Sequence, residues 1–440
     1  MSTRKKVALH SKILIGLAVG MLFGILANLL GARNPVFNRF LNETLIKYIT
    51  GPIGRIFLNL LFMTVVPLVF STLTVGITNL GDMRRLGRIG MKTFAMFLVL
   101  TALSTLLGMS SVSLLKPGEG FDPATQVRLL ETYRGEIAQR SESFKERGGF
   151  GVDTFINIIP RNPLAAMVNM DMLAVIFFAL LFGAALTLVR SDKTALVTGA
   201  LEVTSEAMIK IVGFAMSLAP IAVPALIFNV VARFGTDLLE KLLYFVLITL
   251  GGYLIFLFGV YTLLLFFVCR VRPLEFFRRI IPIMVTAFST SSSNATLPTT
   301  LKESEERLGI PADIAGFVLP LGATMNMNGT ALYEGVTVLF LAQVFGLHLS
   351  IGSMAIVVIL SVLMAVGTAG IPGASLPMLM MVLNAVGVPP EGIAIILGMD
   401  RILDMGRTML NVTGDVVTAA YVTRSEGLAP AGAGSVFMAS

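Results

Sequence analysis

Tryptophan is absent from this chain of 440 residues, cysteine occurs once and histidine twice. The lone Cys269 excludes an internal disulfide, and one Cys with two His argues against a Cys/His metal centre. Charge is also scarce. Charged residues make up 13% and hydrophobic residues 55%, whereas soluble domains carry about 25% charged residues. A chain this apolar cannot cover its surface with polar groups in water, so lipid must be its solvent. That excludes a soluble enzyme, a nucleic-acid binder and a secreted scaffold. The net charge of +7 is then an orientation signal for a membrane protein. Any interfacial aromatic belt must draw on the seven Tyr and some of the 30 Phe.

Spanning helices need about 20 mostly apolar residues. Charge-free runs of that order are 13–32, 56–81, 93–115, 172–189, 211–232 and 242–269. The basic start (Arg4, Lys5, Lys6, Lys12) precedes an apolar run without a small-residue cleavage site, which reads as a retained first span. Basic clusters at Arg4–Lys12, Arg84/Arg85/Arg88/Lys92, Arg190/Lys193 and Arg270/Arg272/Arg278/Arg279 alternate with the connections 33–55, 116–153 and 233–241. The alternation predicts a cytoplasmic N-terminus, a cytoplasmic link after the sixth span and external connections at those three segments. The polar stretch 116–153 reads as a solvated external loop.

The last third is built differently. No formally charged residue occurs between Gly335 and Pro390 if His348 is neutral, yet Gly367-Thr-Ala-Gly-Ile-Pro-Gly373 interrupts the run. Residues 280–301 repeat the design, with Ser289-Thr-Ser-Ser-Ser-Asn-Ala-Thr-Leu-Pro298 as the interruption. Irregular backbone at membrane depth is tolerated where it lines a cavity or is buried in protein. A pair of interrupted segments points to the binding site of a transporter; the plainer alternative is two kinked helices.

Residues 391–423 are apolar but carry Asp400, Arg401, Asp404, Arg407, Asn411 and Asp415. Buried charges in a membrane are costly and face a partner or a wet cavity. Asp400, Asp404, Arg407, Asn411 and Asp415 fall on one helical stripe. An internal Asp404–Arg407 salt bridge would satisfy that pattern. So would a zwitterion site: Arg407 as a bidentate fork for a side-chain carboxylate, Asp404 for an ammonium, Asn411 for an α-carboxylate. Asp415 then suits a small hard cation such as Na⁺. Arg401 is expected to point elsewhere. Asn326-Met-Asn-Gly-Thr330 weakens a helix and frees carbonyls. Glu334 is a lone intramembrane acid, either a proton carrier or simply hydrogen-bonded in the bundle.

Four segments in order and spacing resemble the excitatory amino-acid transporter family, the dicarboxylate/amino acid:cation symporters. They are Ser291-Ser-Ser-Asn-Ala-Thr-Leu-Pro298, Asn326-Met-Asn-Gly-Thr330, Gly370-Ile-Pro-Gly-Ala374 and Asp400-Arg-Ile-Leu-Asp-Met-Gly-Arg-Thr-Met-Leu-Asn-Val-Thr-Gly-Asp415. The resemblance implies an all-α polytopic membrane protein with eight spans, two re-entrant helical hairpins, inverted repeats and an elevator motion, assembled as a homotrimer in the plasma membrane with both termini cytoplasmic. It implies scaffold spans in 1–90 and 154–232, a transport part in 91–115 and 233–423, an extracellular loop at 116–153 and a cytoplasmic tail at 424–440. By motif match, Ser291, Ser292, Ser293, Thr330, Ile371, Pro372, Gly373, Ala374, Ser375, Asp404, Arg407, Thr408 and Asn411 surround substrate. Gly322, Asn326, Asn411 and Asp415 form one sodium site. Thr324, Met327, Ala365, Val366 and Thr368 form a second. Glu334 matches the proton-carrying Glu of animal members.

The chain departs from the pattern in places. Asn328 stands where a third sodium site has Asp, and span three brings Phe97, Leu100 and Thr101 there. An Arg found in the family before the Ser triplet or beside the span-eight Asp is replaced by Ser291 and Met405. Asn294 and Ser375 replace a usual Ser and Gly.

The expected function is symport of glutamate or aspartate with sodium and/or protons, without an organic cofactor, nucleic acid or enzymatic activity. A C4-dicarboxylate:cation symporter is the runner-up, discriminated by Asp404, which a substrate without an ammonium leaves unpaired. A neutral amino-acid carrier would leave Arg407 without an anion. A channel would conduct without saturating. An intramembrane serine protease would need a base beside the Ser-rich segment, and neither His10 nor His348 is in reach.

Overall fold

The computed structural model describes residues 9–83, 87–120, 159–189, 191, 193–366, 368, 370–428 and 436–437. Among these residues all regular structure is helical, apart from one isolated antiparallel bridge between Val271 and Phe437. Four helical stretches are long and apolar enough to cross a membrane: Ser11–Arg33, Pro35–Thr78, Arg88–Leu115 and Thr194–Val268. Residues 121–158, the bulk of the expected external loop, lie outside the described residues.

The elements follow in chain order. α1 is Leu9–Arg33, α2 Pro35–Phe40, α3 Gly51–Phe62, α4 Val65–Met83, α5 Arg88–Leu115, α6 Pro163–Val168, α7 Met172–Leu188 and α8 Thr194–Ile255. Then come α9 Pro273–Arg279, α10 Ile281–Thr290, α11 Ser293–Leu308, α12 Ala312–Met325, α13 Asn328–Val344, α14 Ile351–Ala365, α15 Ser375–Ala385 and α16 Ile393–Ser425. α8 is two helices joined across a kink at Gly235 (φ 73°, ψ −156°), a conformation suited to glycine. Two π-helical stretches, Phe256–Val260 and Leu264–Val268, prolong it.

The connection 33–55 is largely helical. Asn34 caps α2 by accepting from Val36 N–H (3.0 Å) and Phe37 N–H (3.2 Å), with Pro35 at the first helical turn. A π-helical stretch, Leu41–Thr50, carries the helix on into α3. Leu41 and Ile46 pack with Ala27 and Ala232, so hydrophobic contact holds the helix despite the scattered charges.

α1 lies against α8, α4 against α7, and α5 against α13. Gly16, Gly20 and Gly24 make the first contact close: a Cβ at Gly16 would lie 2.6 Å from Pro224 and one at Gly24 2.8 Å from Val231. Small residues four apart let two membrane helices approach in this way.

Around α16 are packed α10, α11, α12, α13, α5 and α8. The distribution of side chains is inverted relative to a soluble protein. Leu22 and Phe23 are each 57% exposed, while Asp404 is 4% exposed and Arg407 2%. Apolar outside and charged inside is the pattern of a bundle solvated by lipid.

Candidate functional site

Two helix–turn–helix hairpins meet beside α16. In the first, α10 ends at Ser291 in the left-handed region (φ 50°), and Ser292 caps α11 by accepting from Ala295 N–H at 3.2 Å. In the second, α14 and α15 flank a non-helical tip. The tips are tied together. Ser292 Oγ donates to the Gly370 carbonyl at 2.7 Å, and Asn294 N–H donates to the same oxygen at 3.1 Å. Gly370 sits so close that a Cβ there would lie 2.6 Å from the Ala323 carbonyl.

Opposite the tips, helix α12 stops and α13 starts across Asn326 and Met327, whose backbones are non-helical. This break is what the Asn-Met-Asn-Gly sequence predicts. Between tips, break and α16 lies a small cavity of about 20 Å³, lined by Ser291, Ser293, Met327, Thr330, Thr368, Gly370, Ile371, Ser375, Asp404, Arg407, Thr408 and Asn411.

α16 supplies the charges. Arg407 Nε and Nη2 donate to Asp404 Oδ1 at 3.0 and 2.6 Å. Nη1 makes no hydrogen bond and lies 3.4 Å from Asp400 Oδ1. The guanidinium rests over the Tyr333 ring at 4.7 Å, a favourable cation–π position. Asp404 Oδ2 accepts from Arg401 Nη1 at 3.2 Å. Arg401 therefore does not point away from the site. One turn of helix brings residues 401 and 404 to adjacent positions, and in a dry bundle the carboxylate is the natural partner. The internal Asp404–Arg407 bridge is thus formed, with Arg401 as a third member.

Other sequence-selected residues divide into groups. Gly322, Asn326 and Asp415 come together: Asn326 Nδ2 donates to Asp415 Oδ1 at 2.8 Å, and Asn326 Oδ1 is buried without a partner. Any Cβ at position 322 would run into the Asp415 carboxylate. The carboxylate and the orphaned amide oxygen are hard donors suited to Na⁺. Asn411 is turned elsewhere. Its Oδ1 accepts from Gly329 N–H at 2.7 Å and Thr330 N–H at 3.4 Å, and Nδ2 faces Met327 Sδ at 3.2 Å. Of the second set, Met327 and Thr368 line the cavity. Ala365 and Val366 are buried at the end of α14. Thr324 is exposed and donates to the Leu321 carbonyl at 3.0 Å, and Thr368 Oγ1 to that of Met364 at 2.7 Å. Ser292 is spent on the tip latch. Pro372, Gly373 and Ala374 lie in the tip outside the cavity lining, with a Cβ at Gly373 3.0 Å from Met216 Sδ on α8.

Glu334 is wholly buried, and neither carboxylate oxygen has a hydrogen-bond partner. Ser361 on α14 and the Arg407 guanidinium are its polar neighbours. The position of Asn328 is closed by a chain of hydrogen bonds. Thr101 Oγ1 donates to Asn328 Oδ1 (3.0 Å), Asn328 Nδ2 donates to Tyr261 (2.9 Å), and Tyr261 donates to the Leu410 carbonyl (3.1 Å). Sequence reasoning missed Tyr333, Tyr253 and Tyr261 beside these groups, because aromatic residues in an apolar run carry no polar signal.

Hairpins, broken helix and charged stripe together define a helical membrane protein with a buried polar site. The model of the sodium:dicarboxylate symporter family matches residues 9–425, and the chain belongs to that family. It is 34% identical over 432 residues to the proton/sodium-glutamate symport protein of Bacillus subtilis, covering 97% of this chain and 94% of that protein. It is 34% identical over 425 residues to the proton/glutamate-aspartate symporter of Escherichia coli, covering 96% and 93%. To a C4-dicarboxylate transport protein of Bacillus subtilis it is 32% identical over 382 residues, covering 85% and 87%.

Proposed function

We propose that the chain is a secondary active symporter of acidic amino acids, glutamate or aspartate, driven by sodium and/or protons. The observation that carries this is the buried Asp404–Arg407 pair at a cavity roofed by two latched hairpin tips. A substrate side-chain carboxylate takes the Arg407 fork from Asp404. The freed Asp404 oxygen receives the substrate ammonium. Thr408, Asn411 and N–H groups at the Ser-rich turn hold the α-carboxylate. Asp415 and Asn326 hold a coupling Na⁺, with the carbonyls around Thr324, Met327, Ala365, Val366 and Thr368 as a second site. Glu334 carries a proton. The names of the two glutamate relatives agree with this chemistry.

On this reading the protein has eight spans and two re-entrant hairpins. The transport part, 91–115 and 233–423, rides as an elevator against a scaffold of 1–90 and 154–232. The assembly is a homotrimer in the plasma membrane, with both termini cytoplasmic. Purified protein in liposomes, with Na⁺ and H⁺ gradients imposed separately, tests the function. Saturable uptake of aspartate or glutamate under either gradient is expected. Its absence under both gradients would overturn the reading.

A second reading, a C4-dicarboxylate symporter, is favoured by one observation. Asp404 already holds two guanidinium partners and is satisfied without an ammonium. Wild-type uptake of succinate in preference to aspartate would establish it.

A further inference from the structure

The two oxygens of Asp404 are divided between two arginines. Oδ1 accepts from Nε and Nη2 of Arg407, and Oδ2 from Nη1 of Arg401 at 3.2 Å. Arg401 and Asp404 side chains are only 10% and 6% exposed. Asp400, Arg401, Asp404 and Arg407 therefore form a buried cluster with as many positive as negative charges, packed beside Tyr253 and Tyr333. Arg407 and Asp404 line the cavity, whereas Arg401 does not and reaches it only through Asp404.

We propose that Arg401 is a positioning residue that sets substrate class by standing in for a substrate ammonium on Asp404. This rests on the symporter reading above. When a substrate carboxylate draws Arg407 away, Asp404 loses both bonds to Oδ1. A buried carboxylate left without a counter-charge is strongly disfavoured. An amino-acid substrate restores the balance with its own ammonium. A dicarboxylate cannot, and for it Arg401 remains as the sole partner of Asp404. Arg401 thus widens the site to acidic substrates that lack an amine. Without Arg401 the cluster would carry one net negative charge and would discriminate against them.

The test is competition of labelled aspartate uptake by succinate in liposomes, read as the ratio of the succinate to the aspartate inhibition constant. Succinate is expected to compete with the wild-type protein. Arg401→Gln, and Arg401→Met as a second neutral variant filling similar space, are expected to raise the ratio about tenfold. Arg401→Lys keeps the charge and is expected to stay near wild type. A purely structural role would weaken both substrates together and leave the ratio unmoved, which would overturn the proposal. So would wild-type uptake indifferent to succinate in large excess, or a Lys variant that behaves like Gln. Wild-type protein that takes up no aspartate at all would instead strike down the functional reading, and the proposal with it.

Discussion

Ser292 and Gly370 join the two hairpin tips through a 2.7 Å hydrogen bond from the serine Oγ to the glycine carbonyl. The same hydroxyl accepts from Ala295 N–H and so caps α11. A single side chain holds both the start of a helix and the closure over the cavity. Ser292→Ala removes a cap and a buried hydrogen bond, each worth about 1 kcal/mol. Substrate affinity is expected to fall roughly tenfold or more, with the fold intact. Isothermal binding and circular dichroism on purified protein check both parts.

Arg407→Thr deletes the fork and leaves Asp404 with Arg401 alone. Loss of a buried charged partner costs about 2–5 kcal/mol. Acidic amino-acid uptake is expected to vanish, and neutral amino acids to gain entry. Aspartate affinity retained within about tenfold would refute the assignment of Arg407.

Glu334 is buried beside Ser361 and the Arg407 guanidinium, and glutamine keeps its size while removing the titratable proton. Glu334→Gln is expected to abolish accumulation driven by an inward pH gradient while substrate exchange persists. Uptake under a pH gradient measured in liposomes, variant against wild type, decides whether this carboxyl carries the proton.

Asn328 is closed by hydrogen bonds with Thr101 and Tyr261, and Phe97 and Leu100, buried on the same helix as Thr101, offer no side-chain oxygen. A desolvated Na⁺ there would lack the negative charge to offset its lost hydration. Uptake is expected to rise with no more than about the second power of sodium concentration if each site takes one ion. A third-power dependence would show that a cation binds despite the missing carboxylate.

At the other end of α16, Glu426 accepts from Arg88 Nη2 at 2.5 Å and Lys92 Nζ at 2.6 Å, clasping α5 to α16. The hydrogen bonds from Arg88 and then Lys92 hold the Glu426 carboxyl below its usual 4.5. A depressed carboxylate stabilises the fold above its unfolded value and loses that contribution as pH falls through the folded value. Glu426→Gln is therefore expected to lower thermal stability at pH 7, and the difference from wild type to shrink below pH 4.5. Melting curves at the two pH values provide the check. An equal difference at both would mean that the clasp does not act through charge.

Much of the architecture is legible in the sequence. The scarcity of charge and the long apolar runs already required lipid as solvent, and the three- and four-residue steps from Asp400 to Asp415 already placed those polar groups on one face of one helix. Gly and Ser interruptions marked both hairpin tips, and Asn326 to Thr330 marked the break between α12 and α13. These are local signals, carried by hydropathy, helical period and turn chemistry. The helical nature of 33–55 was not legible, because it depends on Leu41 and Ile46 finding Ala27 and Ala232.

What only the tertiary structure decided is which partner each buried group takes. Helical spacing allows Asp404 to meet Arg407, an ammonium or Arg401, and does not rank them. The packing of α16 inside the bundle excludes water, so each charge must settle on the nearest opposite charge, and Arg401 is drawn inward. Likewise Ser292 finds Gly370 across 78 residues, and Asn411 gives its oxygen to Gly329 rather than to the Asp415 cluster. The sequence by itself determined the solvent, the helices and the charged stripe, since those follow from neighbours along the chain. The pairing inside the stripe follows from which helices close around it, and that is a property of the folded bundle alone.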